Sequence, residues 1–147
     1  MDRHIIVIED CEDLVASLQI ALEGTFSCPV TLVADGAAAM RLIEAREDAA
    51  SAIVTDLNLP GADGWEIVAR LRQDPKWRET AIVVISADTD PRTPARVLAS
   101  GADAFFPKPY SPAEVCRCLE KILHEKDMSH RSVASSRGSV RPESNPK

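Results

Sequence analysis

Long apolar runs are missing from this chain. The start, MDRHIIVIEDCEDL, holds one short apolar stretch before acids appear, less than a signal peptide or a membrane span needs, so neither is expected. Aromatic residues make up only 4% of the 147, which leaves Val, Ile, Leu and Ala to build the core. Positive charge is in deficit: 17 Lys and Arg stand against 23 Asp and Glu, a net charge of −6. That balance argues against nucleic acid as a direct partner. The four cysteines (Cys11, Cys28, Cys116 and Cys118) follow no metal-binding or disulfide spacing. Cys116 and Cys118 lie two apart in a helical pattern, on different faces. Reduced thiols of this kind fit a cytoplasmic protein. No internal repeat is visible. What is present suits one soluble domain with a real core: 45% apolar and 27% charged residues in a chain too short for two ordinary domains.

Five short apolar runs stand out: HIIVI (4–8), VTLVA (30–34), AIVT (52–55), AIVVIS (81–86) and DAFF (103–106). They are rich in β-branched or aromatic residues and lack polar alternation, as strands buried on both faces do. Helical patterns fill the gaps. Leu14, Leu18, Ala21 and Leu22 form an apolar stripe, with Gly24 as its expected stop. Residues 36–47 form a second helix with Met40 and Ile43 inward. Residues 64–73 form a third, offering Trp65, Val68 and Leu71 and ending before Pro75. A fourth starts between Asp90 and Pro94 and closes at Gly101. The fifth opens with Ser111 as N-cap, Pro112 at the first helical position and Glu114 at the third. Strict alternation predicts an α/β fold: a five-stranded parallel sheet of order 2-1-3-4-5, doubly wound with five helices.

From residue 126 the composition shifts to scattered Ser, Arg and Pro. Five Lys or Arg against two Asp or Glu give this segment +3 and leave −9 on the rest. With little apolar content, residues 126–147 are expected to be a disordered tail, serving as a spacer or a basic tether.

Open parallel sheets gather their functional groups at the carboxyl ends of the strands. Here those ends carry Glu9 and Asp10, then Asp56, then Ser86, then Lys108 followed by Pro109. Three carboxylates that close repel one another, and a hard divalent cation relieves the conflict. Mg²⁺ is the expected ion, with Asp10 and Asp56 as direct ligands, Glu9 behind a water and Asn58 offering its backbone carbonyl. Asp56 then has the position of a nucleophile towards phosphorus, and Lys108 and Ser86 the position to neutralise and hydrogen-bond phosphoryl oxygens.

With these motifs in order, ED (9–10), DLNLPGADG (56–64), SA (86–87) and GADAFFPKP (101–109), the chain resembles the receiver domain of two-component response regulators. The resemblance covers about residues 3–125 and places a receiver domain at 1–125. It implies that Asp56 accepts phosphate from the phosphohistidine of a sensor histidine kinase or a phosphotransfer protein, with Mg²⁺ required. It implies a cis bond between Lys108 and Pro109. It also implies a switch: Ser86 moves towards the phosphoryl group, Phe105 turns into the vacated space, and small Ala87 leaves the path open. Asn58 and Asp88 fall where residues of the family tune hydrolysis of the acyl phosphate. Glu9 stands where Asp is more common, and Phe105 lacks the hydroxyl of the frequent Tyr.

The expected function is that of a stand-alone signalling module, catalysing only its own phosphorylation and dephosphorylation and acting by binding a downstream effector protein. A phosphorylation-dependent homodimer is a second possible output, with the surface around Arg96, Lys121 and Phe105 as its candidate face. No membrane or nucleic-acid contact is expected. The alternative weighed is a Mg²⁺-dependent phosphatase of haloacid-dehalogenase-like type. Those enzymes carry a second Asp two residues after the nucleophile, where this chain has Asn58, and an amide cannot protonate a leaving group. A flavodoxin-like cofactor site would need a phosphate-cradling loop after the first strand, where this chain has the acidic EDCEDL.

Overall fold

The computed structural model describes residues 3–143, with side chains as far as Ser129. Five parallel strands form one sheet in the order β2-β1-β3-β4-β5: β1 (Ile5–Ile8), β2 (Val30–Val33), β3 (Ala52–Asp56), β4 (Ala81–Ser86) and β5 (Ala104–Pro107). Between and after them run α1 (Glu12–Phe26), α2 (Gly36–Ala45), α3 (Gly64–Gln73), α4 (Thr93–Ala99) and α5 (Pro112–Glu143). A short 3-10 turn, Pro75–Trp77, precedes β4. The architecture and strand order are those expected from the alternation of patterns.

The continuous apolar strands serve two cores, one on each face of the sheet. Ile6, Ile8, Ile53, Ile82 and Val84 pack with Ala39, Ile43, Ile67, Val68, Leu71 and Val97 from α2, α3 and α4. The alternate residues Ile5, Val7, Ala52, Val54, Val83 and Ile85 pack with Val15, Leu18 and Leu22 of α1 and Val115, Leu119 and Leu123 of α5. This is the period-two geometry of a strand read twice, and it explains why no polar residue interrupts the runs. Each such side chain contributes about 1.5–3 kcal/mol when fully buried. Trp77, fully buried in the first core, is among the largest side chains sealed there.

Local chemistry sets the helix ends. Asp63 and Glu66 form a reciprocal capping box on α3, with hydrogen bonds of 2.9 and 3.0 Å. Asp35 accepts from the Ala38 N–H at 2.7 Å to cap α2. Ser111 accepts from the Glu114 N–H at 3.3 Å, the cap expected for α5. Gly24 does not stop α1; the helix runs on to Phe26 and ends at Ser27, whose φ is 51°. Phe26 packs against the second core, which holds the two extra residues in place. In the same helix Val15 takes the buried position and Leu14 is half-buried. Met40 of α2 likewise sits at the rim, with Ala39 and Ile43 beneath it.

The domain edge expected at residue 125 is not where α5 ends. The backbone of α5 is helical to Glu143. Residues 144–147 lie outside the described residues. Two ion pairs hold the turn beyond Glu125: Lys126 to Asp103 at 3.6 Å and Asp127 to Arg3 at 3.2 Å. A helix already nucleated adds one hydrogen bond per residue fixed, so extension needs less support than initiation.

Two loops fix the surroundings of the strand ends. Pro60 accepts from the Gly36 N–H at 2.7 Å, seating the β3–α3 loop on the first turn of α2. A Cβ on Gly36 would lie 1.7 Å from the Ala62 carbonyl oxygen, so only glycine permits this approach. Below α4, the Arg72 guanidinium donates to the carbonyls of Gly101, Arg78 and Thr80 and to Asp103, all between 2.8 and 3.0 Å. Arg72 thereby ties α3 to the start of β5. Between α4 and α3, the Arg96 guanidinium lies 5.9 Å from the centre of the Trp65 ring.

Candidate functional site

The register of the sheet brings the expected groups to one edge. Ile8 pairs with Thr55, so the next residues, Glu9 and Asp56, emerge side by side, and Ser86 is in register with Pro107, just before Lys108. One carboxylate oxygen from each of Glu9, Asp10 and Asp56 lies within 4.8 Å of the others. Asp10 is exposed, while the side chains of Glu9 and Asp56 are only 0% and 6% exposed.

Lys108 is the cation of this cluster. Its Nζ lies 2.9 Å from Glu9 Oε1 and bonds Asp56 Oδ2. Asp56 Oδ1 accepts from the Asn58 N–H at 3.0 Å, and Glu9 Oε2 accepts from the Cys11 N–H at 3.1 Å. Burial pushes the Glu9 carboxyl above its ordinary range, an effect only partly offset by Lys108 and the Cys11 N–H. Burial pulls the Lys108 ammonium the other way, but its bonds to Asp56 and Glu9 outweigh that and hold it above the usual lysine value. The Lys108–Pro109 peptide bond is cis, as the resemblance implied.

The donor set fits a hard divalent cation. Glu9 Oε1 is buried and, despite the close ammonium, lacks a well-aligned hydrogen bond. Asp10 offers an exposed carboxylate next to it. Oxygen-only donors with one carboxylate open to water match the preference of Mg²⁺.

Ser86 is fully buried at the end of β4, and its Oγ accepts from the Asp88 N–H at 3.0 Å. Ala87 beside it is exposed. Phe105 is half-buried against the first core. Asn58 is exposed at the mouth of the site. Asp88 has both carboxylate oxygens engaged within its own loop, Oδ1 by the Asp90 N–H at 2.9 Å and Oδ2 by the Thr93 hydroxyl at 3.0 Å. Two neighbours escaped the sequence reading. Thr93 is the first residue of α4, before Pro94. Tyr110 packs against the second core with its hydroxyl buried and without a partner among the described residues, close enough to Glu9 and Lys108 to feel their charges. No sequence pattern marks either one.

Residues 5–134 match the response regulator receiver domain family. The chain belongs to that family. Among curated relatives of this receiver domain, the two-component response regulator ORR11 of rice is 28% identical over 121 residues, covering 82% of this chain and 80% of that protein. The phosphate regulon transcriptional regulatory protein PhoB of Rhizobium meliloti is 33% identical over 119 residues, covering 81% of this chain and 51% of that protein. Among solved structures, a putative response regulator from Chloroflexus aurantiacus superposes with a TM-score of 0.75 at 25% identity, covering 84% of this chain and 99% of its own. A CheY-like receiver domain from Methanospirillum hungatei reaches a TM-score of 0.77 at 19% identity, covering 88% and 99%, and supports the fold. A receiver domain of this family places the chain in two-component phosphoryl-transfer signalling. Among the described residues, no helix is long and apolar enough to cross a membrane.

Proposed function

We propose that this receiver domain accepts a phosphoryl group on Asp56 from the phosphohistidine of a sensor histidine kinase or a phosphotransfer protein, and signals through protein binding that depends on the modification. The observation that carries this reading is the setting of Asp56. Its carboxylate is almost wholly buried at a strand tip, with Lys108 on one oxygen, the Asn58 N–H on the other and two further acids within 4.8 Å. In the transfer, a carboxylate oxygen of Asp56 attacks phosphorus as the P–N bond to the donor imidazole breaks. The electron pair of that bond, and then a proton, go to the departing ring nitrogen. Lys108 exchanges its bond to Asp56 for one to a phosphoryl oxygen and offsets the added charge. Ser86 donates its hydroxyl to a second phosphoryl oxygen. Asp10, Asp56 and the Asn58 carbonyl would hold Mg²⁺, with Glu9 behind them. When bound, Mg²⁺ supplies positive charge that lets the acidic groups and the phosphoryl oxygens share one site.

The output then follows from a two-state shift. Ser86 moves inward, Phe105 fills the space past Ala87, and the face of α4, β5 and α5, with Arg96 and Lys121 on it, presents a different surface to an effector or a second copy. Asn58 at the mouth sets how readily water reaches the acyl phosphate.

Incubation with acetyl phosphate and Mg²⁺ tests the core of this reading. A band shift on a phosphate-affinity gel is expected for the native protein and none for Asp56→Asn. Labelling that persists in Asp56→Asn, or no labelling of the native protein with any small-molecule donor, overturns it.

A further inference from the structure

The stretch between Ser86 and α4 is tied in a chain of three residues. Asp88 gives its N–H to Ser86 Oγ at 3.0 Å, and its Oδ2 takes the hydroxyl proton of Thr93 at 3.0 Å. Its Oδ1 accepts from the Asp90 N–H at 2.9 Å, which holds the carboxylate in the turn. Thr93 is the first residue of α4 and is only 3% exposed, so its hydroxyl has little access to water as a substitute partner.

The far end of α4 is held differently. Arg72 Nε donates to the Gly101 carbonyl at 2.8 Å, and Arg72 Nη2 bonds Asp103 Oδ2 at 3.0 Å. The same Asp103 oxygen accepts from the Ile82 N–H at 2.9 Å. One end of this seven-residue helix is therefore fastened to α3 and β4 by side chains remote from the strand tips. The other end is joined to the site through Asp88.

We propose that Thr93 is a positioning residue: acting through Asp88, it holds the Ser86 hydroxyl away from the phosphoryl position and couples the phosphorylation state of Asp56 to the first turn of α4. The proposal rests on the reading of Asp56 and Ser86 given above. Ser86 Oγ cannot move towards Asp56 without dragging or breaking its bond to the Asp88 N–H. Either way the Asp88 carboxylate loses its place against Thr93. The first turn of α4 is released while Arg72 keeps the Gly101 end fixed, so the helix pivots.

Hydrogen exchange of the peptide spanning 93–99, read by mass spectrometry on the full chain with and without acetyl phosphate and Mg²⁺, tests this. Native protein, Thr93→Val and Thr93→Ser are compared, with the extent of labelling measured on the same samples. In native protein, labelling should speed exchange of this peptide by about fivefold, the worth of a single hydrogen bond. Thr93→Val keeps the shape but removes the hydroxyl. Its unlabelled form should already exchange as the labelled native protein does, so that labelling adds little. Thr93→Ser restores the bond and should restore the response. A merely structural role would speed exchange equally in both states and leave the response to labelling intact; that result overturns the proposal. Absence of labelling in native protein fails the parent reading at Asp56, and is told apart by the labelling measurement itself.

Discussion

Replacing Lys108 with Met probes the electrostatics of the strand-end cluster most directly. The change keeps a chain of similar length but removes the only cation bonded to Glu9 and Asp56 among the described residues. Glu9 has no exposed side-chain surface, so water cannot take the place of the ammonium. Two carboxylates within 4.8 Å repel by about 3 kcal/mol at an effective dielectric constant near 20. Breaking a buried pair by deleting one partner falls in the same range, about 3–5 kcal/mol. Lys108→Met is therefore expected to lose about 3 kcal/mol at neutral pH without Mg²⁺, a large share of the stability of a domain this size. The Glu9 pKa is raised, so this group favours folding below its unfolded value and opposes it as pH rises through the folded value. Removing Lys108 raises it further and sharpens that opposition. Urea unfolding in EDTA at neutral pH, and then at steps down through the carboxylate range, should show a gap between variant and native protein that narrows on acidification. Added Mg²⁺ should recover more stability in the variant than in the native protein. Equal midpoints at neutral pH, or a gap that stays constant as Glu9 is protonated, would refute the reasoning.

Three further outcomes are expected. Tyr110→Phe removes a buried hydroxyl that has no partner and should gain about 1 kcal/mol in denaturant unfolding. Burial and the nearby Glu9 push the Tyr110 phenol up to about 12, so ionisation adds no cost below pH 10 and a growing one as pH rises through 12; the advantage of the Phe variant should widen in that window of an alkaline titration. Gly36→Ala places a methyl group where the Ala62 carbonyl stands, so the β3–α3 loop must shift and thermal unfolding should register a loss of about 2 kcal/mol. Asn58→Met should lengthen the lifetime of the phosphorylated protein, followed as decay of the labelled gel band after donor removal, and an unchanged decay rate would count against Asn58 as the residue that admits water.

The fold was legible because its strands are buried on both faces. Ile5 to Ile8 and Ala81 to Ser86 serve opposite cores residue by residue, and that demand writes itself as unbroken apolar runs. The gathering of Glu9, Asp10, Asp56 and Lys108 could also be read, since a parallel sheet sends the carboxyl ends of its strands to one edge. Boundaries set by tertiary contacts were not legible. Phe26 carries α1 past Gly24, and ion pairs from Asp103 and Arg3 carry α5 past residue 125, which no local pattern announces. The Asp88–Thr93 bond escaped for the same reason: it joins a loop carboxylate to a helix hydroxyl five residues on, and sequence spacing does not say which way either side chain turns.

The two tryptophans divide the work of an optical gauge between them. Trp77 is sealed in the interior, away from solvent, so its emission serves as the background. Trp65 shares its ring face with a cation carried on α4, and a guanidinium at that range perturbs the indole excited state. Any tilt of α4 changes that distance, and with it the intensity of one of the protein's two indoles. The chain thus reports its own conformational state in ultraviolet light, without a dye.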